Sequence, residues 1–221
     1  MTETKRRALI DIAIVLLLVF GLKYLLQFAA VPLAGPVAVA VTLLFMLLLL
    51  KRSGIALRDL GFRMPGGWQG CLKLILLTVA AMGGTVLLAL VIVPAIIPST
   101  GEGSGAFDFL RGDLVALILF LLFVAWGTAA IGEETIFRGF LLPRLESLFG
   151  GGAAATLAAL LTQSILFGLG HAYQGLHGIV LTGLIGLVMG LVYLAGKRWL
   201  VPVILAHGLI DTISLIGVYQ S

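Results

Sequence analysis

Residues 114–139 read LVALILFLLFVAWGTAAIGEETIFRG. The first 19 of them, Leu114–Gly132, contain no Asp, Glu, Lys or Arg, close to the ~20 apolar residues that a bilayer-spanning helix requires. Glu133 and Glu134 follow at once, and Arg138 one helical turn later. Charges at membrane depth are costly, so they mark a functional site by default.

The rest of the chain supports a membrane reading. Of its 221 residues 61% are hydrophobic and 11% charged, and the mean hydropathy is +1.19. The charge-free runs Tyr24–Leu50, Leu74–Gly101 and Ser147–Gly196 each exceed the ~20 residues of a span. These runs predict an all-α, polytopic transmembrane helical bundle formed as one integral membrane domain over residues 1–221. Seven spans are expected, at about 8–29, 34–50, 69–93, 112–132 with a polar extension to 147, 152–172, 177–196 and 199–218; an eighth requires a re-entrant pair. The Lys5-Arg6-Arg7 start resembles a secretory signal, but Ala8–Phe28 is longer than the ~7–15 residues of such a segment. It is read as a retained first span.

The net charge of +4 comes from Lys and Arg clusters between hydrophobic runs, which speaks for orientation in a bilayer and against nucleic acid. Lys5–Arg7, Lys51, Arg52, Arg58, Arg63, Lys73, Arg144, Lys197 and Arg198 fall on one side of this threading. The positive-inside rule places that side, with the N-terminus, in the cytoplasm and the C-terminus outside. Cys71 is the single cysteine, so an internal disulfide and a cysteine metal cluster are both excluded. It reads as a small core or interfacial thiol. Ser53–Gly70 reads as a connector or short interfacial helix, and Pro94–Gly112 as a turn-rich loop. Gly183, Gly186 and Gly190 read as packing residues.

Three polar constellations carry the chemistry. Glu134 and Arg138, four apart on a helix, share a face and can pair; Glu133 is turned about 100° away and stays free to act as a base. Phe167 and His171 share a face near the end of the fifth span, and His207 and Asp211 do so in the last. Each pair alone reads as readily as a contact between helices. His177 falls at a helix start and reads as a loop residue. Together, a glutamate, two histidines and an aspartate in neighbouring spans are the ingredients for activating water.

In this order, Glu-Glu-x-x-x-Arg, Phe-x-x-x-His and His-x-x-x-Asp resemble the CPBP family of CAAX proteases and bacteriocin-processing enzymes, also called the Abi family. The resemblance covers about Gly132–Asp211, within a motif-bearing core at about 112–218. It implies an intramembrane endopeptidase acting on a peptide or membrane-protein substrate in the lipid bilayer, with Glu133 and His171 activating the attacking water. It further implies that His207 and Asp211 stabilise the oxyanion or hold the water, and that Glu134, Arg138 and Phe167 support them. Many members have Asn where this chain has Asp211, and an ionised aspartate cannot donate to an oxyanion. Asp211 would therefore be protonated, orient His207, or bind a metal. A metal-independent glutamate mechanism without cofactor is favoured; zinc, on His171, His207 and Asp211, is the alternative. The rival classes are a non-enzymatic immunity or assembly protein and an ion or proton transporter using the same carboxylates.

Helical rise adds geometric expectations. Glu133 lies roughly 21 Å from Ser147 and Asp211 roughly 20 Å from Arg198, so their depths agree. His171, roughly 27 Å from Ala153, requires tilt or a break near Gly168 or Gly170. A single helix from Gly112 to Ser147 would measure about 54 Å against a hydrocarbon core of about 30 Å, which predicts a bend near Gly139 or Pro143. Arg138, Arg144 and Glu146 would then line a polar funnel from the cytoplasm.

Overall fold

A computed structural model describes residues 2–52, 54–63, 67–97 and 105–221. It is 86% helical, with no strands among the described residues. Seven helices are long and apolar enough to cross a membrane: Thr4–Phe28, Ala34–Lys51, Gly67–Ile96, Leu114–Phe149, Gly152–Leu169, Ala172–Ala195 and Leu200–Gln220. They are named the first to seventh spans. In lipid every backbone N–H and C=O must be satisfied within the segment, which leaves the helix as the form such runs can take. Their outer faces carry large exposed apolar side chains, among them Leu87, Val91, Val115, Phe123, Leu157 and Ile213.

The ends of the spans follow local chemistry. The Asp113 carboxylate accepts from the Ala116 N–H at 2.9 Å and so caps the fourth span. That span ends at Gly150, and Gly150, Gly151 and Gly152 all adopt positive φ, reversing the chain into the fifth span. The connector after the second span folds into a 3-10 turn at Leu57–Leu60. The carbonyl of Gly61 accepts from the Leu200 N–H at 2.7 Å, docking the connector on the start of the seventh span. A Cβ at Gly61 would run into the Arg198 carbonyl. Ser53, residues 64–66 and residues 98–104, the middle of the expected turn-rich loop, lie outside the described residues.

Small residues set the close crossings. Gly168 meets the backbone of Ile179 and Gly183, Gly186 meets the Phe167 ring, and Gly190 meets Leu160 and Gln163; the fifth and sixth spans thus approach at the glycines expected to pack. A Cβ at Gly208 would lie 2.7 Å from the Trp126 ring, and the Trp126 indole donates to the Thr212 hydroxyl at 3.1 Å, which seats the seventh span on the fourth. Cys71 is a buried free thiol.

Two expectations bear on the fourth span and its surroundings, and the reading of His177 as a loop residue needs correction. The fourth span runs as helix from Leu114 to Phe149, with wider π-type turns over Leu121–Glu133 and Thr135–Leu141; such turns, like an interior proline, are recognised causes of helix bending. Wider turns place more residues in each turn, which shortens the span for its residue count. Pro143 lies inside this helix, where the π-type turns give way to the α-helical segment Leu142–Phe149, and it has no N–H to give to the helical ladder.

The residues expected to line a polar funnel are held in ion pairs. Arg138 is fully enclosed, Arg144 pairs with Asp11 of the first span at 2.8 Å, and Glu146 pairs with Arg198 at 2.7 Å. These charges tie helices together, and Glu146 holds the Arg198 guanidinium above its ordinary pKa. His177, finally, lies in the helix Gly175–Ala195, because the turn before it closes within Ala172–Gln174.

Candidate active site

The fourth span places Glu133 and Glu134 on different faces, as their spacing requires. Glu134 is fully buried. Its Oε1 accepts from Arg138 at 2.9 Å and faces His207 Nδ1 at 3.0 Å. A carboxylate only accepts, so His207 Nδ1 carries the proton in this contact. Arg138 donates its other terminal nitrogen to the Gly186 carbonyl at 3.0 Å, and Gln163 reaches the same carbonyl at 3.2 Å. One buried glutamate–arginine pair therefore joins the fourth, sixth and seventh spans, and Gln163 adds the fifth.

Phe167 is the apolar centre of the site. Its ring meets Phe137 edge-on at 5.2 Å between centroids, and lies 5.1 Å from the His171 ring and 6.5 Å from the His207 ring. The Arg138 guanidinium stacks 4.5 Å from its centroid. Aromatic and cation–π contacts of this kind orient rings as well as bury them.

The fifth span ends at Leu169 and His171 stands in the turn beyond it; of tilt and a break, the two alternatives its depth left open, a break is present. His171 Nδ1 lies 2.9 Å from the Phe167 carbonyl oxygen. That oxygen accepts only, so Nδ1 donates and Nε2 keeps its lone pair when the ring is neutral. Burial pushes the His171 pKa down, against the hydrogen bond to Phe167, which favours the neutral ring.

In the seventh span His207 Nε2 faces Asp211 Oδ2 at 3.5 Å, loose for a hydrogen bond. Both ring nitrogens of His207 therefore face carboxylate oxygens. Glu133 is half-buried, and its Oε2 is enclosed with no hydrogen-bond partner. The charges of His207, Glu134, Arg138 and Lys23 all act on it, while those of Lys23, His207 and Asp211 act on His171. The three motifs thus converge on one cluster. Lys23 joins it without a sequence expectation; its only signal is an ammonium inside an apolar run.

As for zinc, among the described residues no three His, Cys, Asp or Glu side chains are grouped so as to hold a metal ion. His171, His207 and Asp211, the alternative ligand set, do not form a donor cage in this arrangement.

Comparison with known proteins adds one finding. Residues 115–213 match the family model described as type II CAAX prenyl endopeptidase Rce1-like, a segment that contains Glu133, Glu134, Arg138, Phe167, His171, His207 and Asp211. No curated protein and no solved structure matches the chain.

Proposed function

From a chain whose residues 115–213 belong to the type II CAAX prenyl endopeptidase, Rce1-like family, we propose an intramembrane endopeptidase in which Glu133 and His171 activate water. One observation carries the assignment. Glu134 is engaged through Oε1 by Arg138 and His207, whereas Glu133 takes part in neither contact and its Oε2, like Glu134 Oε2, is enclosed without a hydrogen-bond partner. A carboxylate locked in an ion pair braces a site; a neighbouring free one can take a proton.

The residues divide the work as follows. Glu133 accepts one proton of the water, and the lone pair on His171 Nε2 holds the other in place. The hydroxide formed attacks the scissile carbonyl carbon, whose oxygen gains the negative charge. His207, held at Nδ1 by Glu134 and protonated on both ring nitrogens, offers Nε2–H to that oxygen, which its loose contact to Asp211 leaves available. Asp211 orients and balances the charge of His207, which is the reading of this position that needs no donor from an ionised carboxylate. Glu133 then returns its proton to the leaving amine, and the balance is one water consumed for an acid and an amine released.

The substrate is a membrane-associated peptide, prenylated or a membrane-protein precursor, entering a site enclosed by apolar spans in the lipid bilayer. The test is cleavage by Glu133→Gln in the full chain. Loss of cleavage with the fold retained supports the base; cleavage near wild type refutes it.

A further inference from the structure

Lys23 lies in the first span, far outside the segment 115–213 that carries the family motifs. A lysine near a helix end ordinarily extends its stem and leaves the ammonium at the interface. Lys23 does the reverse, with 7% of its surface exposed. Its Nζ donates to the carbonyl of Gly170 and lies 5.3 Å from the centroid of the Tyr173 ring. Tyr173 is in turn tied to Gln174, whose amide donates to the phenol oxygen at 2.9 Å. The turn that bears His171 is therefore wrapped around an ammonium delivered by a different helix.

The place of this contact matters. The Gly170 carbonyl belongs to the peptide unit that leads into His171, one residue beyond the end of the fifth span. The His171 N–H is held by the Gly168 carbonyl at 2.8 Å and its ring by the Phe167 carbonyl at 2.9 Å. Both of those contacts come from the fifth span itself. Lys23 supplies a grip from outside that span, and burying an ammonium is costly unless it is well partnered. The ammonium faces the Tyr173 ring and the charge of Glu133, and the hydrogen bond it makes goes to the backbone carbonyl next to a site histidine.

We propose that Lys23 is a positioning residue for His171: by clamping the Gly170–His171 peptide it aims His171 Nε2 toward Glu133. The proposal rests on the peptidase reading for its effect on catalysis, while the clamp itself is independent of that reading. It also gives the first span a task in the chemistry of the later ones.

The experiment compares the full chain with Lys23→Met and Lys23→Arg by two measurements. One is cleavage of a lipid-anchored peptide; the other is the ring 15N signals of the histidines in lipid nanodiscs, where the chain's 3 histidines make assignment direct. Lys23→Met should lower kcat by about 100-fold, the scale of a small misplacement of a reacting group, with KM within about twofold. Its His171 signals should move while those of His177 and His207 stay. Lys23→Arg, which retains a donor and the charge, should restore most of kcat and the His171 signals. Unmoved His171 signals, or equal movement of all the histidines, would overturn the clamp, as would an Arg variant no better than Met. Should Lys23→Met fail to fold, the Arg variant decides alone: retained signals and kcat support the clamp, and their loss refutes it. A wild-type chain that cleaves nothing would overturn the peptidase reading, and the histidine signals would still judge Lys23.

Discussion

Replacing Arg138 by alanine separates the bracing carboxylate from the working one. The guanidinium is fully enclosed. It donates to Glu134 at 2.9 Å and to the Gly186 carbonyl at 3.0 Å, and it stacks on Phe167. Removing one member of a buried ion pair costs about 3–5 kcal/mol, because the charge left behind has lost its counter-ion. Two features moderate the loss. Glu134 keeps its contact with His207, and the Gly186 carbonyl keeps the Gln163 amide, so neither group is fully stranded. The expected destabilisation is therefore near the lower end, about 3 kcal/mol. Glu133→Gln is the control: the Oε2 it alters has no hydrogen bond to lose, so its destabilisation should be clearly smaller than that of Arg138→Ala. Unfolding in mixed micelles, followed by circular dichroism against added denaturing detergent, reads both. An Arg138→Ala loss below about 1 kcal/mol, the scale of an exposed pair, would refute the bracing role, and so would a Glu133→Gln loss as large as that of Arg138→Ala.

Gly208→Ala, whose Cβ would stand 2.7 Å from the Trp126 ring, should destabilise the seventh-span crossing by about 1–3 kcal/mol; an unchanged unfolding midpoint would contradict the close approach. For His171, NMR titration should give a pKa below the ordinary ~6.5, since burial disfavours the charged ring. The unfolded chain then binds the proton first, so this group's contribution to stability is full above pH ~6.5 and is lost as pH falls through that window. A midpoint at or above ~6.5 would contradict it. Cysteine at Asp108 should label from outside intact cells and cysteine at Arg58 should not, in a chain with Cys71 replaced, because the Lys and Arg excess marks the cytoplasmic side; the reverse pattern overturns the proposed orientation.

Hydropathy made the seven spans legible, since a charge-free run of sufficient length has no other stable form in lipid. Contacts between residues four apart were legible too: Glu134 with Arg138 and His207 with Asp211 within one helix, and Phe167 with His171 across the helix end. Contacts between helices were not. The sharing of Glu134 by Arg138 and His207 depends on how closely the seventh span approaches the fourth, which Gly208 and Trp126 decide. Arg144 and Glu146 looked like the wall of a funnel because their partners, Asp11 and Arg198, lie 133 and 52 residues away in sequence. Lys23 escaped for the same reason, as its partner Gly170 is 147 residues distant. The π turns of the fourth span leave no pattern that hydropathy reads.

The most direct measurement is cleavage in water enriched in oxygen-18. The purified full chain in nanodiscs would be incubated with a lipid-anchored peptide, and the fragments weighed by mass spectrometry. The account predicts one cut whose new carboxyl terminus carries a single solvent oxygen, together with a fall in rate of about 100- to 10,000-fold, the scale of a general base, in a folded Glu133→Gln variant. Cleavage by that variant at the wild-type rate, or none by the wild-type chain on prenylated and unprenylated peptides alike, would contradict it.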